Sequence, residues 1–141
     1  MFRVNIQAES FDLAYEHWKL STLGPDVGAV VSFVGQVRDD LLELEHYPAM
    51  ALKQMEAVLD DARARWPLKG ATLIHRYGRL EVGAPIVLVL TASSHRQAAF
   101  EAAEFLMDWL KTRASFWKKE ADGWVEAKAS DDAAAARWGN R

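Results

Sequence analysis

The stretch of sequence that decides the fold is GAVVSFV at residues 28–34. This almost unbroken run of β-branched and aromatic residues is typical of a central strand in a sheet. Upstream of it, residues 2–7 alternate apolar and polar side chains and predict a half-buried strand. A short helix is expected between the two strands, with Ser10 as its N-cap and its end near Lys19.

Downstream, strands and helices are predicted in an order that indicates an α+β domain. Strands are expected at residues 42–47, 71–77 and 86–92. A helix is expected to begin at Pro48 and to stop at Pro67, with an apolar face made by Met55, Val58 or Leu59, Ala62 and Trp66. A longer helix is predicted over 95–113, with an apolar face made by Phe100, Ala103, Met107 and Leu110.

The C-terminal part of the sequence predicts a β-hairpin followed by a short helix. Residues 116–128 read FWKKEADGWVEAK, and the Asp-Gly pair in the middle is a strong signal for a two-residue turn. With that turn, Lys119 is expected to face Glu126 across the two strands. A final short helix is expected over residues 130–138.

The composition limits the class of protein. The chain has 141 residues, half of them apolar, so a single domain over residues 1–141 with its own core is expected. A formal net charge of −3 argues against a general nucleic-acid binder. The absence of cysteine excludes disulfides and a cysteine nucleophile in this chain. No apolar run is long enough to span a bilayer and no signal-peptide pattern is seen, so a cytoplasmic protein is expected.

The sequence has no motif for a metal ion or a nucleotide cofactor. The four histidines show no ligand spacing, and no acidic cluster resembles a loop that binds divalent cations. P-loop, dinucleotide-binding and nucleophile-elbow motifs are absent as well. We therefore expect neither a metal nor a cofactor.

Two potential cations are predicted at an electrostatically unfavourable place, the start of the longest helix. Ser94 and Gln97 form a capping-box pattern, which puts His95 and Arg96 in the first turn. The N-terminal end of a helix is positive and favours anions, so the pair suggests a bound phosphate or carboxylate. The alternative is that both side chains extend into solvent or meet a carboxylate elsewhere.

Three further cations are candidates for binding or catalysis. Lys118 has apolar neighbours on its face of the hairpin, and desolvation there favours a neutral, nucleophilic amine unless the ammonium simply reaches water. Lys111 shares a helix face with Glu104 and Asp108, and a surface ion pair explains it equally well. Arg38 follows the central strand, a place common to binding residues and to ordinary surface arginines.

At these same residues the sequence resembles the large, catalytic subunit of molybdopterin synthase. The matching stretches run in order along nearly the whole chain: GAVVSFVGQVR at 28–38, LEHYPAM at 44–50, ARARWPL at 62–68, IHRYGRL at 74–80, SSHRQAAFEA at 93–102, MDWLKTRASFWKKE at 107–120 and WVEAKASDDAAAARW at 124–138. The specific signal is the combination of the His-Arg pair, the LKTR helix end and the FWK strand.

The resemblance implies a sulfur-transfer enzyme of molybdenum-cofactor biosynthesis with an α/β hammerhead fold and a mainly antiparallel sheet. Such an enzyme converts a cyclic pyranopterin monophosphate, precursor Z, into the dithiolene of molybdopterin. Sulfur arrives as a thiocarboxylate on the C-terminal Gly-Gly tail of a small ubiquitin-like subunit. The implied assembly is a heterotetramer built on a homodimer of large subunits.

The resemblance also implies the site residues. Lys111 and Lys118 fall on the family's active-site lysines, and Phe33 falls near the inserted tail. The implied substrate-pocket positions and their flanking residues are Gln36, Val37, Arg38, His95, Arg96, Lys119 and Glu120. Because the pocket borrows residues from a neighbouring large subunit, the His95-Arg96 pair is expected to serve the site of the other protomer.

The sequence departs from the family pattern at three places. Only residues 39–42 intervene where many members have a longer segment, which predicts a tight hairpin between the flanking strands. Gln36 stands where a lysine is common, and Lys128 stands where an arginine can occur. None of these changes touches the implied lysines or the His-Arg pair, so activity is expected to survive.

Two other functions stay open at the level of sequence. A non-catalytic module that binds a phosphorylated small molecule or a partner's carboxylate tail would use Arg38, His95 and Arg96 but not Lys118. A structural dimer, with tryptophans that serve only interfaces, would bind no small molecule and would tolerate loss of Arg96.

Overall fold

The computed structural model describes residues 1–39, 42–46, 48–113, 116–120, 123–125 and 138. The strands are β1 (Phe2–Gln7), β2 (Ala29–Gln36), β3 (Leu42–His46), β4 (Leu68–Arg76), β5 (Gly78–Leu80), β6 (Pro85–Ser93), β7 (Phe116–Glu120) and β8 (Gly123–Val125), and the helices are α1 (Leu13–Ser21), α2 (Pro48–Arg65) and α3 (Arg96–Arg113). They form two four-stranded sheets with strand orders β1-β4-β6-β2 and β5-β3-β7-β8. The predicted α+β class is confirmed.

Both faces of the first sheet are covered, which explains why its inner strands are apolar at successive positions. β1 pairs with β4 in parallel, whereas β4, β6 and β2 pair antiparallel. Val87 and Val89 of β6 pack in a cluster with α2 and α3, and Leu88 and Leu90 pack in a second cluster with Leu20 of α1. Successive positions of β6 over residues 87–90, VLVL, are therefore all apolar, because the side chains on both faces of the strand are buried.

The chain crosses from the first sheet to the second directly after β2, so the hairpin predicted over residues 39–42 is wrong. β2 pairs with β6, and β3 pairs with β5 and β7 in the other sheet. The reason lies at Val37, whose N–H donates to the carbonyl of Ala84 (2.9 Å) and whose carbonyl accepts from the N–H of Gly83 (2.8 Å). These bonds occupy the end of β2 before β3 begins. Asp39 then turns the chain with a positive φ of 70°.

In the second sheet, β7 lies between β3 and β8. The register places Lys118 opposite Val125 and Lys119 opposite Trp124. The predicted pair of Lys119 with Glu126 is therefore wrong, because the register of the two strands also places Glu120 opposite Gly123. Lys118 still has an apolar residue directly across the ladder.

Two details of the helices differ from the sequence prediction. α1 is capped by Asp12, whose side chain accepts from the N–H of Tyr15 (3.1 Å), and Ser10 lies in the preceding loop, where its carbonyl accepts from Gln7 (3.1 Å). Phe100 is 60% exposed and does not belong to the apolar face of α3. The buried stripe of α3 is instead formed by Ala99, Ala102, Ala103, Phe105, Leu106, Trp109 and Leu110.

The predicted apolar face of α2 is confirmed. Met55, Val58, Leu59 and Ala62 are buried, and Trp66 packs against the same cluster just beyond the helix end. No helix in the described part of the chain is long and apolar enough to cross a membrane. The final helix expected over residues 130–138 lies outside the described residues, except for its last position.

Candidate active site

The end of β2 is fixed against the turn that precedes β6. Gly35 lies at an irregularity in the β2–β6 register, and a Cβ atom there would be 2.8 Å from the side chain of Val87. The side chain of Val37 is buried, whereas Gln36 is exposed and its amide donates to the carbonyl of Gly83 (3.5 Å). Of the two flanking residues predicted here, Gln36 has a side chain that a ligand can reach, and Val37 anchors the strand end.

Arg38 presents its guanidinium group to solvent directly after this anchor. Its side chain is 78% exposed, and its Nε lies 4.0 Å from the carboxylate of Asp39. An exposed pair at that distance is weak, so the guanidinium remains available to an anion. β3, which follows, pairs with β7 so that Glu43 lies opposite Lys119. The register therefore puts the start of β3, at Leu42, and the end of β7, at Glu120, at the same end of the second sheet.

The turn between β6 and α3 is held in place by the strands around it. The N–H of Gly28 donates to the carbonyl of Ser93 (3.0 Å), and the hydroxyl of Ser93 donates to the carbonyl of Pro67 (3.0 Å). A Cβ atom on Gly28 would lie only 2.2 Å from the carbonyl oxygen of Ser94. Only glycine fits where the start of β2 meets this turn, so the scaffold defines the turn's position.

His95 and Arg96 project from this fixed turn. α3 begins at Arg96, so His95 immediately precedes the helix instead of lying in its first turn as predicted. Both side chains are exposed, and within the described part of the chain neither makes a hydrogen bond or an ion pair. The first turn of α3 contains no acidic residue, and the amide of Gln97 donates further along the helix to Glu101 (3.4 Å). The positive charge of Arg96 therefore lies at the positive end of α3, and no acidic residue in the first turn offsets it.

Lys111 lies near the opposite end of α3 and is exposed. The surface ion pair that offered an ordinary explanation for it is not present among the described residues. The carboxylate of Asp108 instead accepts a hydrogen bond from the indole N–H of Trp138. From Arg96 to Lys111 the helix rises about 22 Å, which exceeds the size of a single phosphate-binding pocket.

The structure places the remaining predicted residues on two different sheets. Lys118, Lys119 and Glu120 lie on β7, inside the second sheet. Phe33 lies on β2, the edge strand of the first sheet, and its side chain is 38% exposed. An exposed aromatic residue on an edge strand is accessible to an extended peptide, which is the kind of contact predicted for it.

An open groove beside α1 is a feature that the sequence did not indicate. It is lined by Phe11, Asp12, Leu13, Ala14, His17 and Ser32. The Asp12 carboxylate at its rim caps α1 and repels an anion, so the groove does not suit a phosphate. Across the described residues, no group of three His, Asp or Glu side chains could hold a metal ion.

Comparison with known proteins gives a consistent result. Residues 6–113 match the family described as MoaE protein. The molybdopterin synthase catalytic subunit of Mesorhizobium japonicum is 54% identical over 146 residues, which cover 96% of this chain and 92% of that protein. The solved structure of the molybdopterin biosynthesis MoaE protein from Burkholderia ambifaria has a TM-score of 0.89 and 48% identity, covering 100% of both chains. A protein-protein complex of subunits 1 and 2 of molybdopterin-converting factor from Helicobacter pylori has a TM-score of 0.71 at 20% identity, covering 91% of this chain and 90% of that chain, and shows the fold alone.

Proposed function

Because this chain belongs to the MoaE protein family, we propose that it is the catalytic subunit of a molybdopterin synthase and transfers sulfur in molybdenum-cofactor biosynthesis. Among the residues of this chain, Arg96 gives the proposal its main support. Arg96 is exposed at the start of α3 and has no partner in the described part of the chain. Such a cation weakens the helix, whereas it serves an enzyme that binds anions. Arg38 and Lys111 add two more exposed cations.

The proposed reactants are both anions. The substrate is the cyclic pyranopterin monophosphate, and the sulfur donor is the C-terminal thiocarboxylate of a small ubiquitin-like subunit. The chain contains no cysteine to carry sulfur itself, which supports an external donor. Arg38, His95 and Arg96 orient the phosphate, and Lys111 and Lys118 act where the thiocarboxylate reacts.

In each transfer, the thiocarboxylate sulfur forms a bond to an electrophilic carbon of the substrate while a carbon–oxygen bond at that carbon breaks and the departing oxygen takes up a proton. A thioester then joins the substrate sulfur to the tail. Water then cleaves the thioester, so that the sulfur stays on the substrate and a carboxylate is left on the tail. The two lysines stabilise the developing oxyanion, move protons or take the acyl group transiently. All three roles need an amine or ammonium beside the terminal carbonyl.

We further propose that each site combines residues of two copies of the chain. Arg96 and Lys111 of one chain stand about 22 Å apart along α3, so one chain does not close a compact pocket around both. In a homodimer, the His95-Arg96 turn of one copy serves the site that contains Lys111 of the other. With a small subunit at each site, the assembly is a heterotetramer.

The partner proposal is supported by two observations. The Helicobacter pylori structure of the same fold is a complex of subunits 1 and 2 of molybdopterin-converting factor. Among the described strands, β2 is at the edge of the first sheet with Phe33 exposed on it, which suits an extended C-terminal tail. Such a tail is expected to pass close to Phe33 on its way to Lys118.

Reconstitution tests the function. The purified chain is mixed with a thiocarboxylated small subunit and the cyclic pyranopterin monophosphate, and the dithiolene product is followed as its oxidised fluorescent derivative. We expect product with the wild type and with Lys53→Ala, an exposed lysine of α2 that serves as a matched control. We expect a severe loss with Lys111→Ala and with Lys118→Ala.

The same assay separates the enzyme from a binding module. A module that only binds the phosphate or the tail would give no product, although the complex with the small subunit forms. Normal turnover by both lysine variants, with partner binding intact, would show that the lysines are assigned wrongly.

A further inference from the structure

Trp138 is seated between aromatic rings on the helical side of the molecule. Its ring centroid lies 5.9 Å from that of Trp66 and 5.7 Å from that of Phe105, with interplanar angles of 83° and 89°. Both contacts are edge-to-face, the geometry that aromatic rings favour. Phe105 is fully buried in α3, and Trp66 directly follows α2, so Trp138 contacts the core of the protein.

Polar contacts hold both the ring and the backbone of Trp138. The indole N–H donates to the carboxylate of Asp108 on α3. The carbonyl of Trp138 accepts from the guanidinium of Arg65 at the end of α2 (3.3 Å), and this guanidinium lies 4.7 Å from the ring centre of Phe105. We call Arg65, Trp66, Phe105 and Asp108 the indole socket. It satisfies the ring, the N–H and the carbonyl of Trp138 together.

Strand β8, which precedes Trp138 in the chain, has little support of its own. It comprises three residues, Gly123–Val125, and among the described strands it pairs with β7 alone. A three-residue strand at the edge of a sheet opens readily unless the chain beyond it is tied down. β7 carries Lys118, and Val125 of β8 lies directly opposite it.

We propose that Trp138 is a positioning residue for Lys118, because it anchors the chain beyond β8 to the indole socket. The inference rests on the proposed function, in which Lys118 is a catalytic lysine. With the anchor in place, β8 is held between its ladder to β7 and the socket. Without the anchor, β8 leaves β7 more often, and Lys118 loses the strand that flanks it on one side.

Hydrogen exchange on the full chain tests the anchor without any reference to catalysis. In Trp138→Ala we expect the amides of β7 and β8 to exchange about tenfold faster, because two ring contacts and the hydrogen bond from the indole N–H are lost. Trp138→Phe keeps a ring in the socket but loses the N–H donor to Asp108, so it is expected to lie between wild type and Trp138→Ala.

Ile74→Val is the matched control for general destabilisation. Ile74 is buried in the cluster with Leu20, away from the indole socket, and loss of one methylene there lowers the global stability modestly. It is expected to leave the exchange of β7 and β8 unchanged relative to the inner strands. Unchanged exchange of β7 and β8 in Trp138→Ala would overturn the proposal.

The reconstituted enzyme supplies the second readout. We expect Trp138→Ala to lower kcat about tenfold and to leave KM for the pyranopterin within about twofold, because the phosphate-binding turn at His95 is not disturbed. Trp138→Phe should recover most of the loss. Faster exchange together with wild-type kcat would show that the anchor does not position Lys118. If the wild type itself makes no product, the proposed function fails, and the exchange experiment still decides the anchor.

Discussion

The two ends of helix α3 carry the same kind of charge in opposite electrostatic surroundings. Arg96 begins the helix, where the free N–H groups make the end positive. Lys111 lies in the last turn, where free carbonyl groups make the end negative and favour a cation. Lys111 therefore stabilises α3 electrostatically, whereas Arg96 does not.

Because of this difference, Arg96 and Lys111 do not support the proposed function equally. An exposed lysine at the end of a helix is an ordinary feature, and its catalytic role rests on the family resemblance. An exposed arginine at the start of a helix works against stability, and an anion bound there would offset that cost. Substitutions at the two ends of α3 test whether the two cations differ in this way.

Lys111→Ala is expected to have the largest effect. If Lys111 stabilises the oxyanion or moves a proton, kcat falls by about 100-fold or more, although the variant folds normally. Turnover in the reconstituted assay measures this, with Lys53→Ala as the control. A change of less than about threefold would mean that Lys111 is present for the helix alone.

Gly28→Ala is expected to destabilise the turn that precedes the N-terminal end of α3. The added Cβ meets the carbonyl oxygen of Ser94 at 2.2 Å, so the backbone has to shift, at a cost of about 2 kcal/mol in the free energy of unfolding. Urea denaturation measures the loss. Gly24→Ala is the matched control, because its Cβ meets only a side-chain oxygen of Asp26 at 3.0 Å. Equal stability of the two variants would contradict the close approach at Gly28.

Arg96→Ala is expected to raise KM for the pyranopterin about tenfold, because one charge-assisted hydrogen bond to the phosphate is lost. The effect on kcat should be smaller than in Lys111→Ala. Initial rates over a range of substrate concentrations give both constants. An unchanged KM would support a scaffold function, or a phosphate that binds elsewhere.

The sequence predicts the elements of the first sheet well, because their patterns are local. The alternation in β1, the run in β2 and the apolar face of α2 all depend on which side of each element is buried. Short strands of the second sheet are different. β5 has three residues and begins at Gly78, whose positive φ of 99° signals a turn as readily as a strand.

Features that depend on distant contacts were not predictable. The change of sheet after Val37 requires its backbone bonds to Ala84 and Gly83, which no local pattern reveals. The rotation of α3 that exposes Phe100 depends on how the helix packs on the sheet. At the site, the charges of Arg96 and Lys111 were visible in the sequence. The close contact of Gly28 that fixes the turn before Arg96 was not.

Stability should respond with opposite signs at the two ends of α3. Arg96→Gln is expected to raise the free energy of unfolding by about 0.5 kcal/mol, and Lys111→Gln to lower it by about the same amount, because each removes one charge from a helix end. Glutamine serves at both positions because its helix propensity resembles that of the residues replaced. Denaturation at low salt measures both. If both variants changed the free energy of unfolding in the same direction, the proposed difference between the two helix ends would be wrong.

The smallest effect is expected at the exposed pair of Asp26 and Lys69. The Lys69 ammonium donates to Asp26 (2.8 Å) and lowers the pKa of that carboxyl. A lowered pKa in the folded state stabilises the protein above the pKa of the unfolded chain, and this contribution disappears as the pH falls through the folded value. In Lys69→Met the pKa of Asp26 should rise toward its ordinary value, which NMR titration detects. An unmoved pKa would mean that the pair does not persist in solution.

The most direct test of the shared site is to mix Arg96→Ala with Lys111→Ala. With two copies contributing to each site, random pairing makes half of the dimers mixed, and each mixed dimer contains one intact site and one doubly defective site. We expect the mixture to recover about a quarter of wild-type activity, although at low substrate Arg96→Ala alone keeps about a tenth and Lys111→Ala alone about a hundredth or less. A mixture no more active than the average of the two variants would contradict a site built across two chains.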